Sequence, residues 1–529
     1  MAPGNSLSVR EAAAAVVVTA GVVYSLKVMT DYKSSKKRLP PGPESYPFIG
    51  HMLSLPRSSD HLLYASMSDI IGLSVMGQTI IVLNSAEAAS EILDKCSSIH
   101  SGRAQIPAVS DKDLMDWGQG IAFLNNNDRW RRDRRMLHEA LHKGVVPRYY
   151  PAQEKQIQAL VGRLLNTPST LEAFTQELRF ALGATIPHSR YGYLPTSPND
   201  DWIVAASAAT DHIAQAAQPT KFIVNFIPGL KHLPDWFPGT SWKRTIKNWR
   251  QHKEYITAAP YDWTKEQIVS TKKLILVFKL SLDVTKKWNN PLSIVQNLLS
   301  AFPDYTPDTE DDTHIKLMSA TMFGGGLASS IATVSFFILA MVIYPEVAQK
   351  IQGEVDRVLG NAERLPIVQD RDQMPYVLST LLEVQRWQPV NPLAIPHAAM
   401  EDGEYKGYHI PKGSIVMDNT WAITCDESIY PEPGRFNPDR FLDSKAPLSP
   451  AFGYGRRICP GSHFAEANLF LLISTLMYIV DIQRVVDENG QEAIPEIKMM
   501  QDSTVSCRNY KETCLNRNSF QAWSLRMMF

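Results

Sequence analysis

The spacing of apolar and polar residues predicts several helices and a smaller set of strands. The longest helical pattern covers residues 314–344, and residues 375–387 predict another helix. Residues 463–480 are apolar and free of Pro and Gly, which predicts a buried helix. Nearer the N-terminus, residues 73–84 predict two strands around a turn, after which Ser85 is placed to cap a helix.

Three shorter segments also carry strand patterns. Residues 396–397 begin a strand, and residues 408–417 predict a hairpin with its turn at residues 411–413. The apolar run between lysines at residues 272–279 predicts a further strand. The surrounding residues 270–288 suggest an insertion or a retained non-coding segment, and no function follows from them.

An uncharged apolar run covers residues 12–26, and a group of lysines with Arg38 follows it. The run is shorter than the roughly 20 residues that a membrane-spanning helix normally needs. The basic flank favours a membrane anchor with the remaining chain on the cytoplasmic side. A weak cleavage site at residues 18–20 leaves a removed signal peptide as the alternative.

Composition narrows the class of protein. The chain of 529 residues fits one large domain or two to three ordinary ones, and its formal net charge of −1 gives no general attraction to nucleic acid. Its five cysteines are scattered and odd in number, which argues against a disulfide framework and against a zinc site. A reducing location that faces the cytosol fits this pattern.

One cysteine stands in a distinctive loop, Phe-Gly-Tyr-Gly-Arg-Arg-Ile-Cys-Pro-Gly, at residues 452–461. Gly453 and Gly455 permit a tight turn, and the loop brings Cys459 to the start of a predicted helix. The exposed amides of a helix N-terminus and the neighbouring arginines favour a thiolate, which suits a metal ligand or a nucleophile. An inert buried thiol is the alternative that applies to most lone cysteines.

The loop matches the haem-ligand pattern Phe-x-x-Gly-x-Arg-x-Cys-x-Gly at every fixed position, so the chain resembles the cytochrome P450 superfamily of haem-thiolate monooxygenases. The resemblance implies a mainly α-helical fold with a smaller β-rich part, and haem b with Cys459 as its axial thiolate. It also implies that Phe452 shields the sulfur side of the haem and that Arg457 pairs with a propionate. Residues 40–506 would form this domain, between an anchor and basic linker at 1–39 and an atypical tail at 507–529.

Three further residues resemble the family's propionate ligands. Trp130 and Arg134 are four residues apart on one helix face and resemble its Trp-x-x-x-Arg pair. His397 resembles a histidine that hydrogen-bonds a propionate. Without the cysteine loop, the arginine-rich helix would be read as a solvated surface and His397 as an ordinary polar residue.

Three consecutive glycines, residues 324–326, lie inside the longest helical pattern, where each costs about 1 kcal/mol relative to alanine. In the family the corresponding helix crosses the distal haem face, and its glycines make room for oxygen. An acid and a threonine usually follow, whereas this chain has Ala328 and Ser329. The resemblance therefore leaves proton delivery to water and to the hydroxyl of Ser329 or Ser330, with leakage of peroxide as the alternative.

Two more sets of residues are assigned by resemblance. Glu383, Arg386 and Arg440 resemble the family's Glu-Arg-Arg cluster, a buried network with a structural role, although the spacing Glu-x-x-Arg alone is common on surface helices. The apolar segment 222–238 resembles the region that faces the membrane and gates substrate entry, with ordinary loop packing as the alternative. The predicted substrate pocket is lined by Phe323, Leu327, Leu393, Ile395 and Val505.

The function implied is insertion of one oxygen atom from dioxygen into an apolar substrate such as a polycyclic aromatic, a steroid or a terpenoid. Electrons would come from NADPH through the membrane-bound NADPH–cytochrome P450 reductase, which the remaining arginines of the Trp130 helix would face. Trp421-Ala422 and the run at residues 451–455 carry a finer resemblance, to fungal membrane-bound enzymes of secondary metabolism and xenobiotic oxidation. This resemblance implies a location on the endoplasmic reticulum with the catalytic domain in the cytosol. A peroxide-using or rearranging haem-thiolate enzyme, and a haem-binding protein without turnover, remain the alternatives.

Overall fold

The computed structural model describes residues 38–47, 49–54, 60–166, 171–218, 221–278, 293–300, 309–360, 364–442, 446–482, 484–486, 492–493 and 523–525. The predicted anchor at residues 12–26 lies outside these ranges. In the described chain the α-helices are α1 (Asp60–Ala65), α2 (Ala86–Ala89), α3 (Ser97–His100), α4 (Pro107–Ser110), α5 (Asp128–Leu141), α6 (Tyr150–Leu164), α7 (Leu171–Tyr191), α8 (Asp201–Ala217), α9 (Trp242–Phe278), α10 (Ile294–Ser300), α11 (Glu310–Ile343), α12 (Pro345–Leu359), α13 (Pro375–Trp387), α14 (Thr420–Thr424) and α15 (Ser462–Ile479).

The long helix α11 occupies the middle of the protein. The Thr309 side chain caps the first turn of this helix by accepting a hydrogen bond from the Asp312 N–H at 3.3 Å. Three acidic residues in the same turn interact favourably with the positive end of the helix dipole. Within the described residues it is the one helix long and apolar enough to cross a membrane, and 61% of its apolar window is buried, as in a core helix. Helices α11, α13 and α15 confirm three predicted helices to within a few residues.

The predicted strand at residues 272–279 is wrong. Helix α9 continues from Trp242 through Phe278 and covers nearly all of that segment. Adding residues to an existing helix costs far less than starting one, and Lys and Leu are good helix formers. Local β-propensity therefore does not decide the structure at this position.

Strands are few and short. They are β1 (Ile70–Val75), β2 (Gln78–Leu83), β3 (Gly102–Arg103), β4 (His397–Ala398), β5 (Gly403–Tyr405), β6 (Tyr408–Ile410), β7 (Ile415–Asp418), β8 (Val480–Ile482), β9 (Val485–Val486), β10 (Glu492–Ala493) and β11 (Trp523–Leu525). The main sheet has the order β1-β2-β7-β4-β3, and the β2–β7 pair is its parallel pair. Strand β11, from the predicted atypical tail, pairs antiparallel with β8.

The hairpin predicted at residues 408–417 is also wrong. The turn exists, since the Ser414 N–H donates to the Pro411 carbonyl oxygen at 3.1 Å, but the strands on either side of it belong to different sheets. Strand β6 pairs with β5 across Lys406 and Gly407, whose φ angles of 48° and 80° are those of a tight hairpin turn. Strand β7 instead joins β2 and β4 in the main sheet.

The largest apolar core lies between α11, α12, α13 and α15, with α6 and α7 packed beside them. Its members include Phe337, Trp387 and Phe470, which are almost completely buried. A second apolar cluster joins α5, α7 and α10 to the first half of α11. The cysteine loop (residues 452–461) runs directly into α15, so the first core fixes the position of that loop.

Candidate functional site

The cysteine loop is a tight turn that closes on itself. The Cys459 N–H donates to the Phe452 carbonyl oxygen at 2.8 Å. Gly453 and Gly455 have φ angles of 79° and 49°, and a Cβ on Gly455 would lie 2.4 Å from the Leu93 carbonyl oxygen. Only glycine accepts both the conformation and the close approach. The loop therefore delivers Cys459 to the N-terminal end of α15, as predicted.

The protonation of Cys459 differs from the expectation drawn from the sequence. Burial raises the pKa of the Cys459 thiol, and the Gly461 N–H and the charge of Arg134 lower it only in part. The surroundings alone therefore do not produce a thiolate. A bound metal cation deprotonates a coordinating thiol outright, so this position is suited to a metal ligand rather than to a free nucleophile.

Three arginine side chains lie close together at the cysteine loop, and we call them the basic cluster. They are Arg103, Arg134 and Arg457, the last of which belongs to the loop itself. The Arg457 guanidinium lies 4.2 Å from the centre of the Trp130 ring. Arg457 also donates to the Ser101 carbonyl oxygen at 2.8 Å and to the Leu124 carbonyl oxygen at 2.7 Å. Arg134 donates to the Ile458 carbonyl oxygen. Trp130, Arg134 and Arg457 thus meet beside the cysteine loop.

Arg103 joins this cluster through the main sheet, where it lies opposite His397 in the β3–β4 register. Its Nη1 donates to the Ile395 carbonyl oxygen at 2.5 Å, while its Nε is buried without a hydrogen-bond partner. His397 Nδ1 donates to the His100 carbonyl oxygen at 2.9 Å. Sequence reasoning missed Arg103, because its proximity to His397 follows from strand pairing across nearly 300 residues and no local motif announces it.

The basic cluster is only partly balanced by negative charge, because the buried carboxylate of Asp418 interacts electrostatically with Arg103 without forming an ion pair. In the described chain, Arg129, Arg131 and Arg132 all pair with carboxylates, whereas no described carboxylate forms an ion pair with Arg103, Arg134 or Arg457. Burial and the charges of Arg103 and Arg134 lower the pKa of Arg457 to about 8, and burial lowers the pKa of Arg103 to about 10. Uncompensated buried charge is costly, so these residues fit a ligand with carboxylate groups, such as the two propionates of haem.

The middle of α11 borders open space. Gly325 is exposed although it lies within the longest apolar helix, and a Cβ there would have no heavy atom within 4 Å. One turn later, the Ser329 hydroxyl donates to the Gly325 carbonyl oxygen at 2.8 Å. The Ser330 hydroxyl donates to the Gly326 carbonyl oxygen at 2.8 Å and is buried. Ala328 is half-buried and offers no polar group.

Residues 120–124 connect this part of α11 to the cysteine loop. A Cβ on Gly120 would lie 2.9 Å from the Thr321 hydroxyl, one helical turn before Gly325. Four residues further on, the Leu124 carbonyl oxygen accepts from Arg457, which is two residues before Cys459. Residues 120–124 therefore link the glycine-rich part of α11 to the basic cluster and the cysteine loop.

The residues predicted to line the substrate pocket are scattered. Phe323 and Leu327 are fully buried in the second apolar cluster, where the Phe323 and Tyr191 ring centres are 6.3 Å apart. Their contact with substrate remains a prediction. The packing does not support it, because a fully buried side chain does not border open space. Leu393 is buried beneath the main sheet, Ile395 is exposed, and Val505 lies outside the described residues.

Glu383, Arg386 and Arg440 form one buried network, as predicted. Arg386 Nε and Nη2 donate to the two carboxylate oxygens of Glu383 at 2.7 and 2.8 Å, and neither side chain is exposed. Arg440 Nε lies 3.4 Å from Glu383 Oε1, and the Asn437 N–H donates to the same oxygen at 2.8 Å. The network joins α13 to the segment that precedes the cysteine loop.

Known proteins share this combination of fold and loop. A family model described as cytochrome P450 matches residues 40–483. Cytochrome P450 monooxygenase 105 of Postia placenta is 37% identical over 504 residues, which is 94% of this chain and 92% of its own length. Tryptamine 4-monooxygenase of Psilocybe cyanescens is 33% identical and aligns with 90% of this chain and 92% of its own. A zebrafish cytochrome P450 solved with progesterone superposes with a TM-score of 0.66 at 21% identity, over 84% of this chain and 96% of its own.

The fold and the cysteine loop thus define a haem-thiolate protein, mainly helical with a small β-rich part, as the sequence predicted. The chain belongs to the cytochrome P450 family and is a monooxygenase of that family. Membership implies a haem with a cysteine thiolate ligand, a redox partner, an organic substrate and the use of dioxygen.

Proposed function

We propose that this cytochrome P450 inserts one oxygen atom from dioxygen into an apolar organic substrate, with electrons from NADPH passed on by a flavoprotein reductase. The observation that carries the proposal is a tightly held Cys459 beside three guanidinium groups that form no ion pair with a described carboxylate. That arrangement fits a haem whose iron takes the cysteine and whose propionates take the arginines. Haem bound there supplies the activation of dioxygen.

Each part of the site then has a separate task. Arg103, Arg134 and Arg457, with Trp130 and His397, would hold the propionates and neutralise their charge. Phe452 would shield the cysteine sulfur.

The substrate class is deduced from the surroundings of the open space. The side chains of α11 near it are small, and hydroxyls are the only polar groups that this part of the helix offers. Binding would come mainly from burial of apolar surface, about 25 cal/mol per Å². The relative from Psilocybe cyanescens is named for oxidising tryptamine, which supports a flat aromatic substrate. Polycyclic aromatics, steroids and terpenoids have the same apolar character.

The electron donor would dock on the exposed face of α5. Arg131 and Arg135 are exposed there, whereas Arg132 is tied to Asp311 at the start of α11 by an ion pair of 2.6 Å. Surface charge of this kind mainly sets the rate of encounter with an acidic partner. Arg135, which shows no ion pair in the described chain, is therefore the arginine best placed for the reductase.

The membrane would be the endoplasmic reticulum, with the catalytic domain facing the cytosol. The segment 222–238 supports contact with a membrane, because its side chains at Ile223, Ile227 and Trp236 are exposed, the last by 77%. Apolar side chains in such a position favour a lipid surface over water.

Oxygen-isotope incorporation tests the function directly. With NADPH, a reductase and ¹⁸O-labelled dioxygen, we expect one labelled oxygen atom in the product of an apolar aromatic substrate. The missing acid at Ala328 favours a second candidate, a haem-thiolate enzyme that consumes or rearranges peroxides. Turnover of organic hydroperoxides without any NADPH-dependent product would support that candidate and reject the first.

A further inference from the structure

Two histidines at the end of α5 stand apart from the site described above. His138 lies in the last turn of the helix, and His142 is the first residue beyond it. Their ring centres are 5.3 Å apart, and the ring planes meet at 29°. His138 is exposed and His142 half-buried at the surface. In the described chain, neither ring forms an ion pair, so both are available to a ligand from solution.

We propose that His138 and His142 bind one divalent transition-metal ion of the Zn²⁺, Cu²⁺ or Ni²⁺ type. Imidazole nitrogens bind these metals at about 2.0–2.1 Å. Residues four apart lie on the same helix face. The two stacked imidazole rings are therefore close enough that small rotations of the side chains would let both bind one ion. Residues 138–142 read His-Glu-Ala-Leu-His, the spacing by which helices present two histidines to zinc.

The backbone supports a cation at this position. Helix α5 ends at Leu141, and the His142 N–H donates to the His138 carbonyl oxygen at 2.9 Å. The ion would therefore sit at the negative end of the helix dipole, which favours positive charge. The exposed, positively charged side chains of Arg135 and Lys143 repel a cation at this position. Binding should consequently strengthen as salt screens these two charges.

The tautomer of His142 must change on binding. The Gly144 N–H donates to His142 Nδ1 at 3.2 Å, so the neutral ring carries its proton on Nε2. A metal ion at Nε2 needs that nitrogen's lone pair, and the proton moves to Nδ1 while the Gly144 N–H turns to water. The exchange costs one exposed hydrogen bond.

The proposed site binds a metal ion but does not hydrolyse peptides. No group of three metal-ligating side chains occurs in the described residues, so water completes the coordination and the ion exchanges readily. In a metalloprotease helix the glutamate of this motif acts as general base at a zinc site, whereas Glu139 is exposed to solvent. We therefore assign reversible binding and no peptidase chemistry.

The test measures Cu²⁺ binding to the haem-loaded protein, because Cu²⁺ is bound most tightly in the divalent series. We expect one equivalent whose electron paramagnetic resonance shows two imidazole nitrogens. His138→Ala and His142→Ala should each weaken binding at least about tenfold, since even outer partners of metal ligands are worth 10–100-fold. His463→Ala, at an exposed histidine of α15, should change nothing. The haem spectrum reports that each variant is folded.

The double variant His138→Ala/His142→Ala decides the proposal. Loss of the two-nitrogen signal and of the one equivalent supports the site. An unchanged signal in the double variant overturns it and places the ion at other surface groups. A signal with a single nitrogen in the unmodified protein overturns it as well, because that is the pattern of an ordinary surface histidine.

Discussion

The Arg457 guanidinium stacks on the Trp130 ring at 4.2 Å while its N–H groups donate to carbonyl oxygens of Ser101 and Leu124. Every contact orients the positive group and none neutralises it. In the function proposed above, a dianionic cofactor would complete the arrangement. We therefore expect Arg457→Leu to reduce the haem content per protein molecule several-fold, measured as haem absorbance after gel filtration. Arg456→Leu, at an exposed neighbour, is the control and should keep full haem content. Equal haem in both variants would contradict a propionate role.

The buried pair of Glu383 and Arg386 should dominate local stability. Glu383→Gln leaves the Arg386 charge buried with only neutral partners, and breaking such a pair costs about 3–5 kcal/mol. We expect a clearly lower temperature of unfolding and a lower yield of folded protein. Lys350→Gln breaks the exposed pair with Asp439 and should cost about 0–1 kcal/mol. Similar losses of stability in the two variants would contradict the expectation that the buried pair contributes more than the exposed one.

Ion pairs join the residues after α4 to the segment 222–238 through Lys231 and to α9 through Lys253. Lys231 contacts the carboxylates of Asp111 and Asp113 at 2.7 and 3.0 Å, and Lys253 contacts Asp116 at 2.8 Å. If this segment gates substrate entry, Lys231→Gln should raise the rate of substrate association, because one tie across the entrance is lost. Stopped-flow mixing that follows the haem spectrum measures that rate.

Two controls sharpen the gating prediction. Lys243→Gln breaks a contact between α9 and Asp235 that does not reach the residues after α4, so it should leave the association rate unchanged. High salt should accelerate association in the unmodified protein more than in Lys231→Gln, because it screens the same contacts. A rate unaffected by Lys231→Gln and by salt would place substrate entry elsewhere.

In the function proposed above, the proton path next to Gly325 contains no acidic side chain. General acid catalysis is typically worth 10²–10⁴-fold, and Ala328 offers none. We expect poor coupling, with peroxide released and NADPH spent without product. Ala328→Asp should raise product formed per NADPH. Tight coupling in the unmodified protein that survives Ser329→Ala would show that the substrate or another group supplies the proton.

Local motifs predicted the parts of the site that depend on a few neighbouring residues. The cysteine loop follows from its glycines, and the spacing of Glu383 and Arg386 follows from one helical turn. The helices α11, α13 and α15 could be predicted because their apolar patterns are long.

Features set by distant parts of the chain were missed. Arg103 reaches the basic cluster by pairing with β4, and β6 pairs with β5 rather than β7. The packing of Phe323 against α7 determines which face of α11 borders open space. The periodicity of the sequence alone does not reveal that packing. The net pKa of Cys459 likewise depends on burial that the sequence does not display.

The most direct measurement of the central claim is the carbon monoxide spectrum of the reduced protein. The account predicts the red-shifted band of a thiolate-ligated haem in the unmodified protein and in Cys96→Ser, whose thiol is a half-buried bystander. It predicts loss of that band in Cys459→Ser, because the hydroxyl that replaces the thiol forms no thiolate. A Cys459→Ser protein that keeps the band would contradict the assignment of Cys459 as the iron ligand.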